Sequence, residues 1–147
     1  MLNLKFTEVK RFYYAAELHF DSAAALMKVF PSLGSSLRGH EIVYLAGYVV
    51  ECSLKALYLS WCSARSHEEV VDWLKATIKH NLEKLKGELV KKGVAFPSEV
   101  MSHLKWVNTH WSSEMRYRVH TWSREDTTRF LKSVRSIRAW VQGGGGG

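Results

Sequence analysis

The chain has 147 residues, enough for one domain with a single sizeable core, and its 46% hydrophobic and 24% charged residues exclude a disordered tail. Lysine and arginine outnumber aspartate and glutamate by 21 to 14, which gives a net charge of +7. This excess favours an anionic partner such as RNA or nucleotide phosphate, although a basic protein without such a partner fits the charge equally well.

The hydrophobic pattern predicts helices throughout the chain and no convincing strand. The first helix spans about Thr7 to Phe30. It is expected to end at Pro31, because the residue before a proline is pushed out of the helical region. A second helix begins between Ser36 and His40 and contains the apolar run from Ile42 to Cys62.

Further helices are predicted in the second half of the chain. One runs from His67 to about Lys79, with Ser66 as the N-cap of a capping box. His80-Asn81 then interrupts the pattern, and the next helix ends near Gly93, which suits a C-cap.

Two more helices complete the predicted domain, one from about Ser98 to His110 and one from Ser123 to about Val141. Together these elements predict an all-α fold, an up-and-down bundle of four to five main helices with a short extra helix. Residues 1–142 form one domain, and Gly143–Gly147 is interpreted as a flexible tail or an engineered scar.

Only two residues between Ile42 and Cys62 carry charge, Glu51 and Lys55. They lie four residues apart, so they share one face of a helix in the favourable order. Buried charges need compensating partners, which must come from elsewhere in the chain. Two central charges also argue that this run does not cross a membrane, although its length would permit it.

A cytoplasmic location is expected. Lys5, Glu8 and Lys10 interrupt any apolar core that a signal peptide would need. Cys52 and Cys62 lie ten residues apart on one predicted helix, which separates them by roughly 15 Å and prevents a disulfide between them. Both are therefore expected to be reduced thiols.

Arg116 and His120 are the candidate catalytic residues. No metal-binding or glycine-rich phosphate motif is present in the sequence, so no metal or other cofactor is expected. In a helix, Arg116 and His120 would share a face, where the histidine could transfer a proton and the arginine stabilise charge during attack of a ribose 2′-hydroxyl on phosphate. The alternative is that Arg116 only pairs with buried Glu51 and His120 is a surface residue.

Basic and aromatic side chains give candidate RNA contacts. The candidate binding residues are Arg118, Arg124, Lys132 and Arg135, of which the last three lie on the outer face of the final helix. That face could follow a phosphate backbone or simply be solvated. Trp106, Trp111 and Trp122 could stack bases, but core or interface packing explains tryptophans more often.

The run from Leu45 to Leu57, LAGYVVECSLKAL, resembles the central signature of HEPN domains (higher eukaryotes and prokaryotes nucleotide-binding). The resemblance covers roughly residues 10 to 141. Supporting similarities are His19-Phe20-Asp21-Ser22-Ala23, His80-Asn81-Leu82 with Leu85, Arg116-Tyr117, and the closing helix from Phe130 to Val141.

The resemblance implies a helical bundle that is usually a homodimer and that binds RNA or a nucleotide. It also implies a partner such as a nucleotidyltransferase or an antitoxin, in a toxin–antitoxin or defence system. Metal-independent ribonucleases of the family carry an arginine, four to six residues and then a histidine, whereas three residues separate Arg116 from His120 here. Tyr117 also replaces the polar residue that often follows the arginine, as in the branch without established nuclease activity.

Three functional hypotheses follow. The first is a nucleotide- or RNA-binding module, and the second is a metal-independent endoribonuclease toxin that uses Arg116 and His120. The third is a non-catalytic dimerisation module. In each of them Glu51 and Lys55 support the site or the packing, with Arg116 and Tyr117 as their expected partners.

Overall fold

A computed structural model describes residues 2–33, 36–116 and 120–145, without the side chains of residues 30–33, 36–38 and 116. The described residues are helical and contain no strand, which confirms the all-α class. The described part of the chain contains six α-helices rather than four to five main helices with a short extra one. They are α1 (Thr7–Leu33), α2 (Ser36–Ser60), α3 (His67–Trp73), α4 (Leu82–Lys91), α5 (Ser98–His110) and α6 (Arg124–Gln142).

The helix α2 is the centre of the fold. It packs chiefly against α1 and α6 and more lightly against α4. All nine residues of the stretch from Glu51 to Leu59 are buried, as the apolar sequence predicted. Gly39–Ser60 is long and apolar enough to cross a membrane, but 83% of its most apolar part is buried inside the protein, as in the core helix of a soluble protein.

The predicted ends of the later helices agree with the structure. The helix α5 has the predicted bounds, and Ser123 caps α6 by accepting a hydrogen bond from the Asp126 N–H at 3.0 Å. Gly93 ends α4 with φ of +101°, a conformation that glycine adopts without strain. Capping interactions of this kind form within one turn of the helix end, so the local sequence is sufficient to predict where these helices begin or end.

Three predicted boundaries are wrong. The helix α2 ends at Ser60, so Cys62, which was expected on the same helix as Cys52, lies just beyond it. The helix α1 continues through Pro31 to Leu33. The φ of a proline suits a helix, and its ring clashes only with the carbonyl of the preceding helical turn. A helix can therefore continue for a few residues after a proline. Ser66 does not cap α3, because it has helical φ and ψ at the end of a 3₁₀ turn and its hydroxyl donates to the Ser63 carbonyl at 2.9 Å.

Part of the glycine run is ordered against the domain. Gly144 and Gly145 are buried, and their N–H groups donate to the carbonyls of Val141 and Trp140. A Cβ on Gly145 would lie 3.0 Å from the methyl groups of Leu57. The packed part of the chain therefore extends three residues beyond the predicted domain boundary at residue 142.

Candidate nucleic-acid interface

The buried charged pair of α2 has its partners in the turn between α3 and α4. Lys55 Nζ donates to Glu51 Oε2 at 3.1 Å, and the two side chains are only 8% and 6% exposed. Lys55 also donates to the Lys79 carbonyl at 2.7 Å, and His80 Nδ1 lies 2.8 Å from Glu51 Oε1. Each carboxylate oxygen of Glu51 therefore has a hydrogen-bond donor, which compensates its burial.

The backbone before His80 is unusual. One π-helical turn, Leu74–Ile78, follows α3, and it ends with a bond of 2.7 Å from the Lys79 N–H to the Leu74 carbonyl. Lys79 then adopts φ of +54° and ψ of −114°, the one positive φ at a non-glycine residue in the described chain. Helical π-turns and strained residues both occur preferentially at functional sites. Here they turn the chain so that the His80 ring reaches Glu51.

His80 joins the buried pair to the surface. A carboxylate can only accept, so His80 Nδ1 carries the hydrogen and donates to Glu51. The other ring nitrogen, Nε2, is then directed away from that bond, on a side chain that is 48% exposed. The aromatic rings of Tyr48 and Trp111 support this arrangement. The centroid of the Tyr48 ring lies 5.7 Å from that of His80 and 5.1 Å from that of buried Trp111, edge-on to both.

His80 opens into a cleft of about 530 Å³, which we call the His80 cleft. One wall consists of residues 77–82 with Lys84, and the other consists of Asn108 and residues 111–114. Lys79, His80 and Lys84 supply positive charge or hydrogen-bond donors, whereas Glu114 is the one acidic residue in the described wall. The cleft therefore suits an anionic group better than a cationic one.

A second cavity of about 380 Å³, the aromatic groove, also lies near the C-terminal end of α5, and His120 is among its lining residues. Its rings are close together: Trp106 and His110 have centroids 3.7 Å apart, and Trp122 lies 6.0 Å from His110. The guanidinium of Arg129 stacks 3.7 Å above the Trp106 ring. Such a mixture of aromatic faces and a cation can stack nucleic-acid bases.

A third cavity of about 520 Å³ lies between α4 and α5. It shares Asn108 with the His80 cleft and Thr109 with the aromatic groove. Lys86 and Lys105 line it, and Lys86 pairs with Glu83 at 2.9 Å. The three cavities therefore adjoin one another across the C-terminal half of α5.

The predicted catalytic pair is described only in part. The side chain of Arg116, and Tyr117 and Arg118 entirely, lie outside the described residues. His120 is exposed, and its N–H donates at 3.1 Å to Nδ1 of His40, a buried ring whose Nε2 donates to the Met115 carbonyl at 2.8 Å. His120 is not helical, so the four-residue spacing does not by itself bring it to one face with Arg116. The pair stays a prediction.

The other predicted binding residues lie apart from these cavities. Arg124, Lys132 and Arg135 are exposed on α6, but none of them is in the described walls of the three cavities. Their neighbour Arg138 donates to Glu17 on α1 at 2.9 Å, and this hydrogen bond raises the pKa of the arginine. That guanidinium connects two helices and is not available as part of a phosphate track.

The two cysteines are not activated thiols, and the described residues form no cluster of metal ligands. Burial raises the pKa of the Cys52 thiol to about 12, and burial also raises the pKa of Cys62, so both remain protonated near neutral pH. Among the described residues, no group of three histidine, cysteine, aspartate or glutamate side chains is placed to hold a metal ion.

Sequence reasoning missed the role of His80. It expected Arg116 and Tyr117 as partners of the buried pair and used His80 only as a point of resemblance. A signal was present, because the buried charge of Glu51 required donors and His80 stands at the helix break before Asn81, which caps α4. Comparison with models of protein families, with curated proteins and with solved structures finds no match to this chain.

Proposed function

We propose that the protein binds single-stranded RNA or nucleotides through the three adjoining cavities across α5. The observation that carries this proposal is the combination of lysines in the His80 cleft with clustered aromatic rings in the aromatic groove. Lysines attract phosphate, and aromatic faces accept bases of any sequence. Each cavity alone has a volume typical of small-ligand sites, and their neighbouring positions along α5, with Asn108 and Thr109 each lining two of them, favour a strand over a single nucleotide.

The resemblance to HEPN domains supports a wider proposal. In it, the helices form an up-and-down bundle, two copies form a homodimer, and the protein works beside a nucleotidyltransferase or an antitoxin in a toxin–antitoxin or defence system. The Leu45–Leu57 run carries this resemblance, and its charged pair is the one that holds His80.

The alternatives retain specific support. The endoribonuclease hypothesis with Arg116 and His120 is favoured by the exposure of His120 in the aromatic groove. The dimerisation hypothesis is favoured by the burial of Glu51 and Lys55, since ion pairs can serve packing alone. Only the dimerisation hypothesis predicts that RNA does not bind.

Fluorescence anisotropy with a labelled single-stranded 12-nucleotide RNA pool of random sequence tests the proposal. We expect the double variant Lys79→Ala/Lys84→Ala to bind about tenfold more weakly, and the slope of log K against log[salt] to fall by about 2, because each phosphate contact releases counterions. The matched control is Lys10→Ala/Lys28→Ala, which removes two exposed lysines from α1. Equal losses in both variants, or no binding by the wild type, would refute the proposal.

A further inference from the structure

The aromatic groove contains a carboxylate that the proposed phosphate contacts do not use. Asp126, in the first turn of α6, is exposed and is the one acidic residue in the described wall of the groove, which includes no lysine or arginine. Its backbone N–H donates to Ser123, but no hydrogen bond or ion pair to its carboxylate is found in the described part of the chain. A carboxylate repels phosphate, so this groove suits a base of the strand and not its backbone.

The tryptophan rings of the groove are held in place by their neighbours. Trp122 lies edge-on to buried Phe130, with ring centroids 5.6 Å apart. The guanidinium carbon of Arg129 lies 3.7 Å from the centroid of the Trp106 ring. A base that enters the groove therefore meets rings that are already ordered, which lowers the entropic cost of stacking on them.

An ionised carboxylate offers only hydrogen-bond acceptors, so it selects bases that present donors. Guanine is the base whose Watson–Crick edge carries two adjacent donors, N1–H and the N2 amino group, and they match the two oxygens of a carboxylate. In adenine and cytosine the amino group stands beside a ring nitrogen that accepts, and in uracil N3–H stands between two carbonyls. These acceptors would face the second carboxylate oxygen and be repelled by it.

We propose that the aromatic groove is a guanine-selective base pocket, in which the Asp126 carboxylate accepts hydrogen bonds from the Watson–Crick edge of one base of the bound strand. This inference rests on the proposed function, since the strand must lie across α5, and it adds base selectivity to that function. Stacking supplies affinity for any base, whereas the bidentate contact distinguishes guanine. Lys105, in the neighbouring cavity that shares Thr109 with the groove, can contact a phosphate that flanks this base.

Fluorescence anisotropy with labelled 12-nucleotide uridine strands that carry one other nucleotide at the sixth position tests the inference. We expect guanosine at that position to raise the affinity of the wild type about tenfold over adenosine or uridine, as a bidentate contact to a base edge does. Inosine, which lacks only the N2 amino group, should lose part of this gain. N1-methylguanosine, which lacks the N1 donor, should lose all of it.

Two variants show whether the carboxylate is responsible. Asp126→Asn keeps the size of the side chain but replaces one acceptor oxygen with a donor. We expect it to bind the guanosine and adenosine strands equally within about twofold, without a loss of affinity for the all-uridine strand. The matched control Glu125→Gln removes the neighbouring exposed carboxylate of α6, which is not in the described wall of the groove, and it should keep the preference for guanosine.

Equal binding of the guanosine, adenosine and N1-methylguanosine strands by the wild type would overturn the inference, as would a preference for another base. A guanosine preference that survives in Asp126→Asn, or that Glu125→Gln loses equally, would also overturn it. In each of these cases RNA still binds, so the proposed function stands, whereas strands that do not bind at all would overturn both. The nucleotide series uses the wild type alone, so it decides the inference even where a variant fails to fold.

Discussion

At the scale of single residues, Lys79 has the most constrained conformation in the described chain. Its φ of +54° and ψ of −114° are strained for a residue that has a side chain. Lys55 Nζ donates a hydrogen bond to the Lys79 carbonyl at 2.7 Å. A buried ammonium therefore helps to maintain a turn that the lysine itself disfavours. The strained turn places the next residue, His80, within hydrogen-bond distance of Glu51.

Replacing Lys79 with glycine should stabilise the protein and weaken RNA binding together. Glycine adopts positive φ without strain, so we expect the free energy of unfolding to rise by about 1 kcal/mol in Lys79→Gly. Affinity for RNA should fall because the cleft loses an ammonium. Urea unfolding and anisotropy measure the two effects.

The control Lys79→Ala removes the same ammonium but keeps a Cβ. It should bind RNA as weakly as Lys79→Gly without the gain in stability. If the alanine variant is as stable as the glycine variant, the turn is not strained in the manner described.

His80 also shows what a sequence can reveal about a site. The charge pattern alone predicted that Glu51 and Lys55 are buried together, because spacing along a helix is a local property. The identity of their partner depends on how a turn 29 residues from Glu51 is bent. No periodicity specifies the π-turn and the positive φ that produce this bend, so sequence reasoning placed the donors elsewhere.

At the scale of elements, α2 determines where Trp111 lies. Gly47 has no side chain, and the indole of Trp111 packs directly against its backbone. The indole N–H also donates to the Tyr44 carbonyl at 3.0 Å. Trp111 in turn supports Tyr48, whose ring contacts His80, so a glycine on the core helix controls the back of the cleft.

Gly47→Ala should therefore be destabilising. A Cβ at this position would overlap with the Trp111 ring, and overpacking of this kind typically costs about 1–3 kcal/mol. The matched control is Gly87→Ala on α4, where an added Cβ meets nothing within 4 Å. It should stabilise the helix by about 0.5–1 kcal/mol. Thermal unfolding compares the two, and a Gly47→Ala variant as stable as the wild type would contradict the proposed contact.

The elements differ in how well the sequence predicts them, for physical reasons. The helix α5 follows from its periodicity and α6 from its periodicity and its Ser123 cap, and these signals depend on neighbouring residues only. Ser66 has the sequence of a cap but continues a 3₁₀ turn, and Pro31 does not stop α1. In both cases the residue continues the helical conformation of the preceding turn, although its own preference is to cap or end a helix.

At the scale of the whole molecule, not every cationic side chain is available to bind a partner. Arg138 is bound to Glu17 and Arg129 stacks on Trp106, so several cations have internal roles. The net charge favoured an anionic partner no more than a basic protein without one, and the arginines of α6 made its outer face a candidate phosphate track or a solvated surface. The cavities indicate a different path across α5, because tertiary packing decides which lysines and rings lie together.

We propose that RNA lies across α5 with a phosphate at the His80 cleft. Amide chemical-shift changes on titration of the ¹⁵N-labelled protein with a single-stranded 8-nucleotide RNA would locate the bound strand. We expect the changes to cluster at residues 79–84 and 105–112. Changes confined to the exposed face of α6 around Arg124, Lys132 and Arg135, or to α1, would contradict it.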